Sequence, residues 1–179
     1  MNITPQSDLK VTQTLIPAWK QIPNTSIQGK PLLIYHTVFD PSSLSLAQIR
    51  DHLKKIGAVQ PEWTYSMYPT SHYHSTTHEV LCVVEGEARI CFGHELNPQR
   101  VEVTISKGDL IIIPAGVSHR LLEDFTGDFT MLGSYPPSTK HWDMCYGNED
   151  IHKTTAIIEK LPWFEKDPVY GQTGPVLNL

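Results

Sequence analysis

His72 and His74 stand one residue apart, Glu79 follows after a short polar stretch, and an apolar β-branched run then leads to Gly86. Side chains alternate faces along an extended chain, so the two histidines would share a face and Tyr73 would point away. Imidazole nitrogen with carboxylate oxygen is a donor set for first-row transition metals. A strand–loop–strand path would fold Glu79 back beside the histidines. If Glu79 opens a strand, then Glu79, Leu81 and Val83 take one face, and His78, Val80 and Cys82 the other. That parity turns His78 away from Glu79 and gives it an exterior or supporting place rather than a ligand's. A second stretch, Gly108 to His119, offers His119 as a fourth donor. On its return strand Val117, His119 and Leu121 would face one way, and Ser118 and Arg120 the other.

The elements that must position these groups read as a β-domain. Pro31 to Phe39 is rich in β-branched and aromatic residues and is expected as a strand. Ser45 with Gln48 fits a capping box, and Leu46, Ile49, Leu53 and Ile56 form a stripe before Gly57, so a helix is expected over 45–57. His52, beside that stripe, reads as a partly exposed helix residue. From Glu62 to Tyr135 short strands succeed one another. Alternation is clean in Val101–Ser106 and Ala88–Phe92, with turn signals at Gly86-Glu87 and Lys107-Gly108-Asp109. Asp109 to Pro114 is apolar at every central position, which suits a strand covered on both faces. Val117–Leu122 and Asp128–Gly133 complete the set, and together they predict a closed or sandwich-like antiparallel domain.

The flanks are different. Residues 1–30 are polar and proline-punctuated and read as a loosely ordered N-terminal arm pinned through Trp19. Residues 31–135 carry the barrel, with its helix. Residues 136–179 hold a short helix over 149–160, with Ile151, Ala156 and Ile157 or Ile158 inward, and then an extended C-terminal arm. That arm carries Trp163, Phe164, Val169, Tyr170, Val176 and Leu177, too many large apolar groups for a disordered tail, so it should pack on the barrel or on a second subunit. His94, His141 and His152 are expected to face solvent.

Bulk composition narrows the function classes. The chain has 179 residues, a net charge of −5, 40% hydrophobic residues and 18% charged ones, which is ordinary for one globular domain. With no Lys/Arg cluster, nucleic acid and anionic membranes are poor partners. Cys82, Cys91 and Cys145 are odd in number and form no CxxC pair, so reduced thiols are expected. With no signal pattern at the N-terminus, a cytoplasmic location is the expectation.

On these residues the chain resembles the cupin superfamily. Its first motif, G-x5-H-x-H-x4-E-x6-G, reads here as His72, His74, Glu79 and Gly86. Its second, G-x5-P-x-G-x2-H-x3-N, reads as Gly108, Pro114, Gly116 and His119. Ser66 stands where the first motif has its leading glycine, and Glu123 where the second has its asparagine. The wider layout is similar to a group of small single-domain bacterial cupins without an assigned reaction. The resemblance implies a mainly β fold, an antiparallel β-barrel or jelly roll with one or two short helices. It also implies one divalent transition metal (Fe, Mn, Ni, Zn or Cu) on His72, His74, Glu79 and His119, with one or two coordination positions open.

Residues sharing the metal's face would line a pocket: Tyr68, Thr70, Leu81, Val83, Leu121, and either Met131 with Phe129 or Thr130 with Leu132. Tyr68, about 13 Å up-strand of His72 at the usual rise, would sit at the mouth. No second carboxylate, Lys or Arg is aimed inward. A metal-dependent oxidoreductase of the non-haem dioxygenase type, acting on a small organic molecule, is therefore the first expectation. A redox-neutral isomerase or lyase of a sugar or keto acid, and a non-catalytic small-molecule-binding protein, are the alternatives. The resemblance further implies a homodimer.

Overall fold

Apolar residues recur at alternate positions in Ala88–Phe92 and Val101–Ser106, and the backbone follows that period. The computed structural model, which describes residues 1–179, has nine strands. They are β1 (Lys10–Thr14), β2 (Leu32–His36), β3 (Gln60–Tyr65), β4 (Glu79–Glu85), β5 (Glu87–Phe92), β6 (Val101–Ser106), β7 (Leu110–Ile113), β8 (His119–Asp124) and β9 (Thr130–Tyr135). Two helices accompany them, α1 (Leu46–Ile56) and α2 (Ile151–Ile158), with a 3-10 turn at Pro175–Leu177. The strands form two antiparallel sheets, a six-stranded one in the order β1-β2-β7-β4-β9-β3 and a three-stranded one in the order β6-β5-β8. The ladders thus resolve into two sheets, with no continuous ladder running round a single cylinder. The fold is mainly β, with two helices.

Parity decides what lies on each side of the large sheet. Leu81, Val83, Ile111, Ile113 and Met131 face the small sheet and meet Ala88, Ile90, Phe92 and Ile105. Val80, Cys82, Leu110, Ile112 and Leu132 face outward, against Ile49 and Leu53 of α1 and Phe164, Val169 and Val176 of the C-terminal arm. The unbroken apolar run of β7 therefore has a cause: its alternate residues belong to two different cores. With each such side chain contributing roughly 1.5–3 kcal/mol on full burial, these two layers hold the sheet in place from both sides.

The helix at 45–57 forms as its caps dictate. The Ser45 hydroxyl accepts from the Gln48 N–H, and Gly57 takes the left-handed conformation (φ 73°) while its N–H bonds to the Leu53 carbonyl. Gly108 has φ 98°, and a β-carbon there would fall 2.3 Å from the Phe39 carbonyl oxygen, so the turn into β7 needs glycine.

Three expectations are corrected. The N-terminal segment is not merely loose, because Lys10–Thr14 pairs with Leu32–His36 and covers the edge of the large sheet. In α2 the buried positions are Thr154 and Ile158, one turn apart, while Ala156 is exposed. His94 is not a free surface residue, since its ring stacks on Trp19 at 4.5 Å and 22°. That stack is also how Trp19 pins the N-terminal segment. His141 and His152 are exposed, and His52 is half-buried with Nε2 bonded to the Val169 carbonyl at 2.8 Å.

Candidate metal centre

His72 and His74 lie on an extended segment between β3 and β4, outside any regular strand. That segment is clamped from both sides. His72 and His119 exchange backbone hydrogen bonds of 3.2 and 2.8 Å, and the Gly116 N–H bonds to the His74 carbonyl at 2.9 Å. Tyr73 and Cys145 exchange a second pair, at 2.8 and 2.9 Å. The direct pairing of His72 with His119 places their rings 4.3 Å apart. Tyr73 points the other way, into a small cluster with Ile22 and Cys145. Glu79 opens β4 on the inner face, while His78 is fully buried on the opposite side, its ring against Trp163 and Phe164.

The donor atoms of His72, His74 and His119 lie within 4.8 Å of one another, and all three residues are buried. Each ring has one nitrogen tied to a backbone carbonyl. His72 Nδ1 bonds to Thr70 O at 2.9 Å, His119 Nδ1 to Val117 O at 3.0 Å, and His74 Nδ1 to Asp143 O. A carbonyl only accepts, so each Nδ1 carries its hydrogen and each neutral ring leaves Nε2 with a free lone pair. Glu79 Oε2 lies 3.6 Å from His74 Nε2 and 3.4 Å from His119 Nε2. It is a buried oxygen with no hydrogen-bond partner.

The electrostatics suit a cation. Burial, then the neighbouring His72, pulls His119 down to about 3, and burial likewise lowers His72. Burial pushes Glu79 up, but the imidazoles of His74 and His119 and the Tyr135 hydroxyl overcome it and hold the carboxyl at about 2. Burial also depresses His74, and the Glu79 carboxylate outweighs it and raises that ring. An ionised carboxylate among buried imidazoles, away from water, is costly unless a positive charge lies among them, which a proton on His74 or a metal ion on the Nε2 atoms would supply. Three buried histidines so arranged can hold a metal ion.

A chain of hydrogen bonds supports the acid. Tyr135 OH donates to Glu79 Oε1 at 2.7 Å, and Trp63 Nε1 donates to Tyr135 OH at 2.8 Å. Burial and then the Glu79 charge raise the Tyr135 phenol, so it stays a donor. Trp63 is opposite Gly133 in the β3–β9 ladder, and a β-carbon at Gly133 would fall 2.0 Å from its indole. The glycine makes the room that lets the indole reach the tyrosine.

His74 is held by a segment beyond the last strand. The Asp143 carboxylate accepts from the Ser75 N–H at 2.7 Å and the Ser75 hydroxyl at 2.5 Å, and also from the Thr76 hydroxyl and the Cys145 thiol, each at 3.3 Å. These contacts place the Asp143 carbonyl on His74 and put Trp142 and Met144 at the rim of the site.

A cavity of about 350 Å³ opens beside the histidines. Of the residues expected to line it, Tyr68, Leu81 and Met131 do. Thr70, Val83 and Leu121 do not. Thr70 is exposed and gives only its carbonyl, Val83 lies deeper, in the core between the sheets, and Leu121 is half-buried at the margin of that core. Tyr68 is closer than a strand would put it, with its ring 5.8 Å from that of His72, because the chain between Tyr65 and His72 is not a strand. Trp63, Tyr135, Trp142 and Met144 also line the cavity, and Asp143 supports it from behind His74, none of them among the residues the motifs point to. Tyr135 shares parity with Met131 and so had a signal in the sequence; Trp142 to Met144 had none.

A cupin-domain family model matches residues 63–135. The protein YjlB of Bacillus subtilis (strain 168), described as uncharacterized, is 32% identical over 150 residues, covering 83% of this chain and 85% of its own length. Among solved structures, acireductone dioxygenase from Bacillus anthracis, with a cadmium ion in its active center, is 16% identical with a TM-score of 0.39. That match covers 66% of this chain and 83% of the other. The TDP-quinovose 3,4-ketoisomerase WlaRB from Campylobacter jejuni is 10% identical with a TM-score of 0.38, covering 54% and 76%. Identity of almost a third along most of both chains, together with the family match over the stretch that carries the three histidines and Glu79, shows that the chain belongs to the cupin family.

Proposed function

We propose that the chain is a metal-dependent oxidoreductase of the non-haem dioxygenase type, acting on a small organic molecule. His72, His74, His119 and Glu79 would hold one divalent transition metal. The observation that carries this reading is the unpartnered Glu79 Oε2 facing imidazoles whose Nδ1 atoms are all committed to backbone carbonyls. When bound, a redox-active metal on this donor set supplies open coordination positions for an organic ligand and dioxygen.

The chain's own residues do the rest. Thr70, Val117 and Asp143 orient the rings through their carbonyls, and Tyr135 and Trp63 orient the carboxylate. Apolar walls, Leu81 and Met131 among them, keep water away from the donors. Lys and Arg do not line the cavity, and Glu79 is its one carboxylate. Tyr135, held protonated, can give a hydrogen bond but is a poor base. That poverty of paired acid and base favours redox chemistry over isomerisation or elimination. The two facing sheets are read here as a flattened jelly-roll barrel, with the site at one end between them.

The test is oxygen uptake. Protein reconstituted with Fe(II) without air should consume O₂ on addition of a chelating substrate, and protein with Zn(II) should not. Turnover with Zn(II) or Mn(II) in the absence of oxygen would replace this reading with the redox-neutral one.

A further inference from the structure

We propose that the cavity beside the histidines takes a flat aromatic ligand bearing oxygen donors, and not a phosphorylated or polycarboxylate metabolite. This rests on the metal reading above and names the class of ligand for that site.

The walls carry the inference. Trp142 leans on His74 (ring centroids 5.7 Å) and lies nearly parallel to Tyr135 at 6.3 Å and 26°. Tyr68 meets His72 edge-on at 5.8 Å, with Tyr65 6.0 Å beyond it. Each of two histidines thus has an aromatic wall of its own. The polar ends of three of the rings are already engaged: Tyr135 OH donates to Glu79, Trp63 Nε1 to Tyr135, and, at the rim, Trp142 Nε1 to Glu62 at 3.3 Å. What these rings still offer a ligand is chiefly their faces and edges, which select for another ring.

Charge points the same way. The cavity lining contains no Lys or Arg, the side chains that recognise phosphate or a second carboxylate, and its one ionised side chain is the negative Glu79. A multiply charged anion would find one cation at most. The volume, about 350 Å³, accommodates a substituted ring or a fused pair and sits at the small end of the roughly 300–1,000 Å³ usual for small-molecule sites.

The probes are benzohydroxamate and acetohydroxamate, which present the same two oxygen donors with and without a ring, titrated into protein loaded with Ni(II). Benzohydroxamate should bind at least about tenfold tighter, a factor in line with one well-placed aromatic contact. That preference should shrink in Trp142→Ala and also in Tyr68→Ala. Tyr68 is half exposed, so its loss leaves the fold intact. Glucose 6-phosphate should not compete. Ni(II) uptake with equal affinity for the two hydroxamates, or a preference untouched by both substitutions, or effective competition by glucose 6-phosphate, overturns this inference alone. Failure of the protein to take up Ni(II), Fe(II) or Zn(II) in metal analysis overturns the metal reading and this inference with it.

Discussion

Tyr135 shows how much of the site is held by residues that touch no donor nitrogen. Its hydroxyl is at once donor to Glu79 and acceptor for Trp63. Tyr135→Phe would strand both, leaving Glu79 without its remaining partner and the Trp63 N–H without an acceptor. An outer partner of a metal-site carboxylate is typically worth about 10–100-fold in affinity, and an unmet buried polar group about 1–3 kcal/mol of stability. Tyr135→Phe is therefore expected to weaken metal binding by about one order of magnitude or more in a calorimetric titration, with a lower melting temperature. Trp63→Phe, which spares the Tyr135–Glu79 bond, should have the smaller effect on metal and a comparable effect on stability. Equal metal affinity in wild type and Tyr135→Phe would mean that the hydrogen bond to Oε1 does not position the acid.

At the scale of elements, the strap around residues 141–146 lies outside the stretch matched by the cupin-domain model, yet it supplies the carbonyl on His74 and two rim side chains. Its anchor is Asp143, whose carboxyl is held below the usual range. Burial opposes that shift, and the Ser75 hydroxyl and N–H overcome it. Asp143→Ala removes the anchor while leaving both sheets and their cores untouched. The expected result is metal affinity lowered by about 10–100-fold, a changed environment for Trp142 visible in its fluorescence, and little change in melting temperature. A large stability loss with unchanged metal affinity would make the strap a structural part only. Strand parity governs the rest at this scale: moving β4 by one residue would exchange Glu79 for His78 at the site.

For the whole molecule, the decisive contact ties the C-terminal arm to the second strand of the large sheet. Tyr35 on β2 donates to Asp167 Oδ2 at 2.7 Å and accepts from the Val176 N–H at 2.8 Å, and Asp167 is wholly buried. Asp167 Oδ1 accepts from the N–H groups of Val169 and Tyr170, which folds the C-terminal arm over the outer core. Hydrogen bonds to a buried charge are worth roughly 1.5–3 kcal/mol. Tyr35→Phe should therefore lower the melting temperature by several degrees, at about 2–4 °C per kcal/mol for a chain of this size. Because this clasp lies across the large sheet from the histidines, metal affinity should not change. A melting temperature equal to wild type would show that the arm is held by apolar packing alone. No helix of the chain is long and apolar enough to cross a membrane.

What the linear order determined is whatever depends on short-range periodicity. The alternation from Glu79 to Val84, the all-apolar β7 and the Ser45–Gly57 helix follow from side-chain period and capping, and they came out as the residues themselves dictate. The grouping of His72, His74 and His119 was legible because motif spacing ties each histidine to a strand end or an extended segment. What only the tertiary structure decided is which distant groups close around that centre. Asp143 reaches His74 across 69 positions, and Tyr135 reaches Glu79 across 56. Parity with Met131 puts Tyr135 on the right face, but nothing in the local sequence of Asp143 marks its approach, because that arises from the packing of a strap against whole sheets. Val83 and Leu121 stay outside the cavity for the same reason: parity says which face a side chain takes, but not where along that face the cavity ends, with Val83 in the core beyond it and Leu121 half-buried at the core's margin.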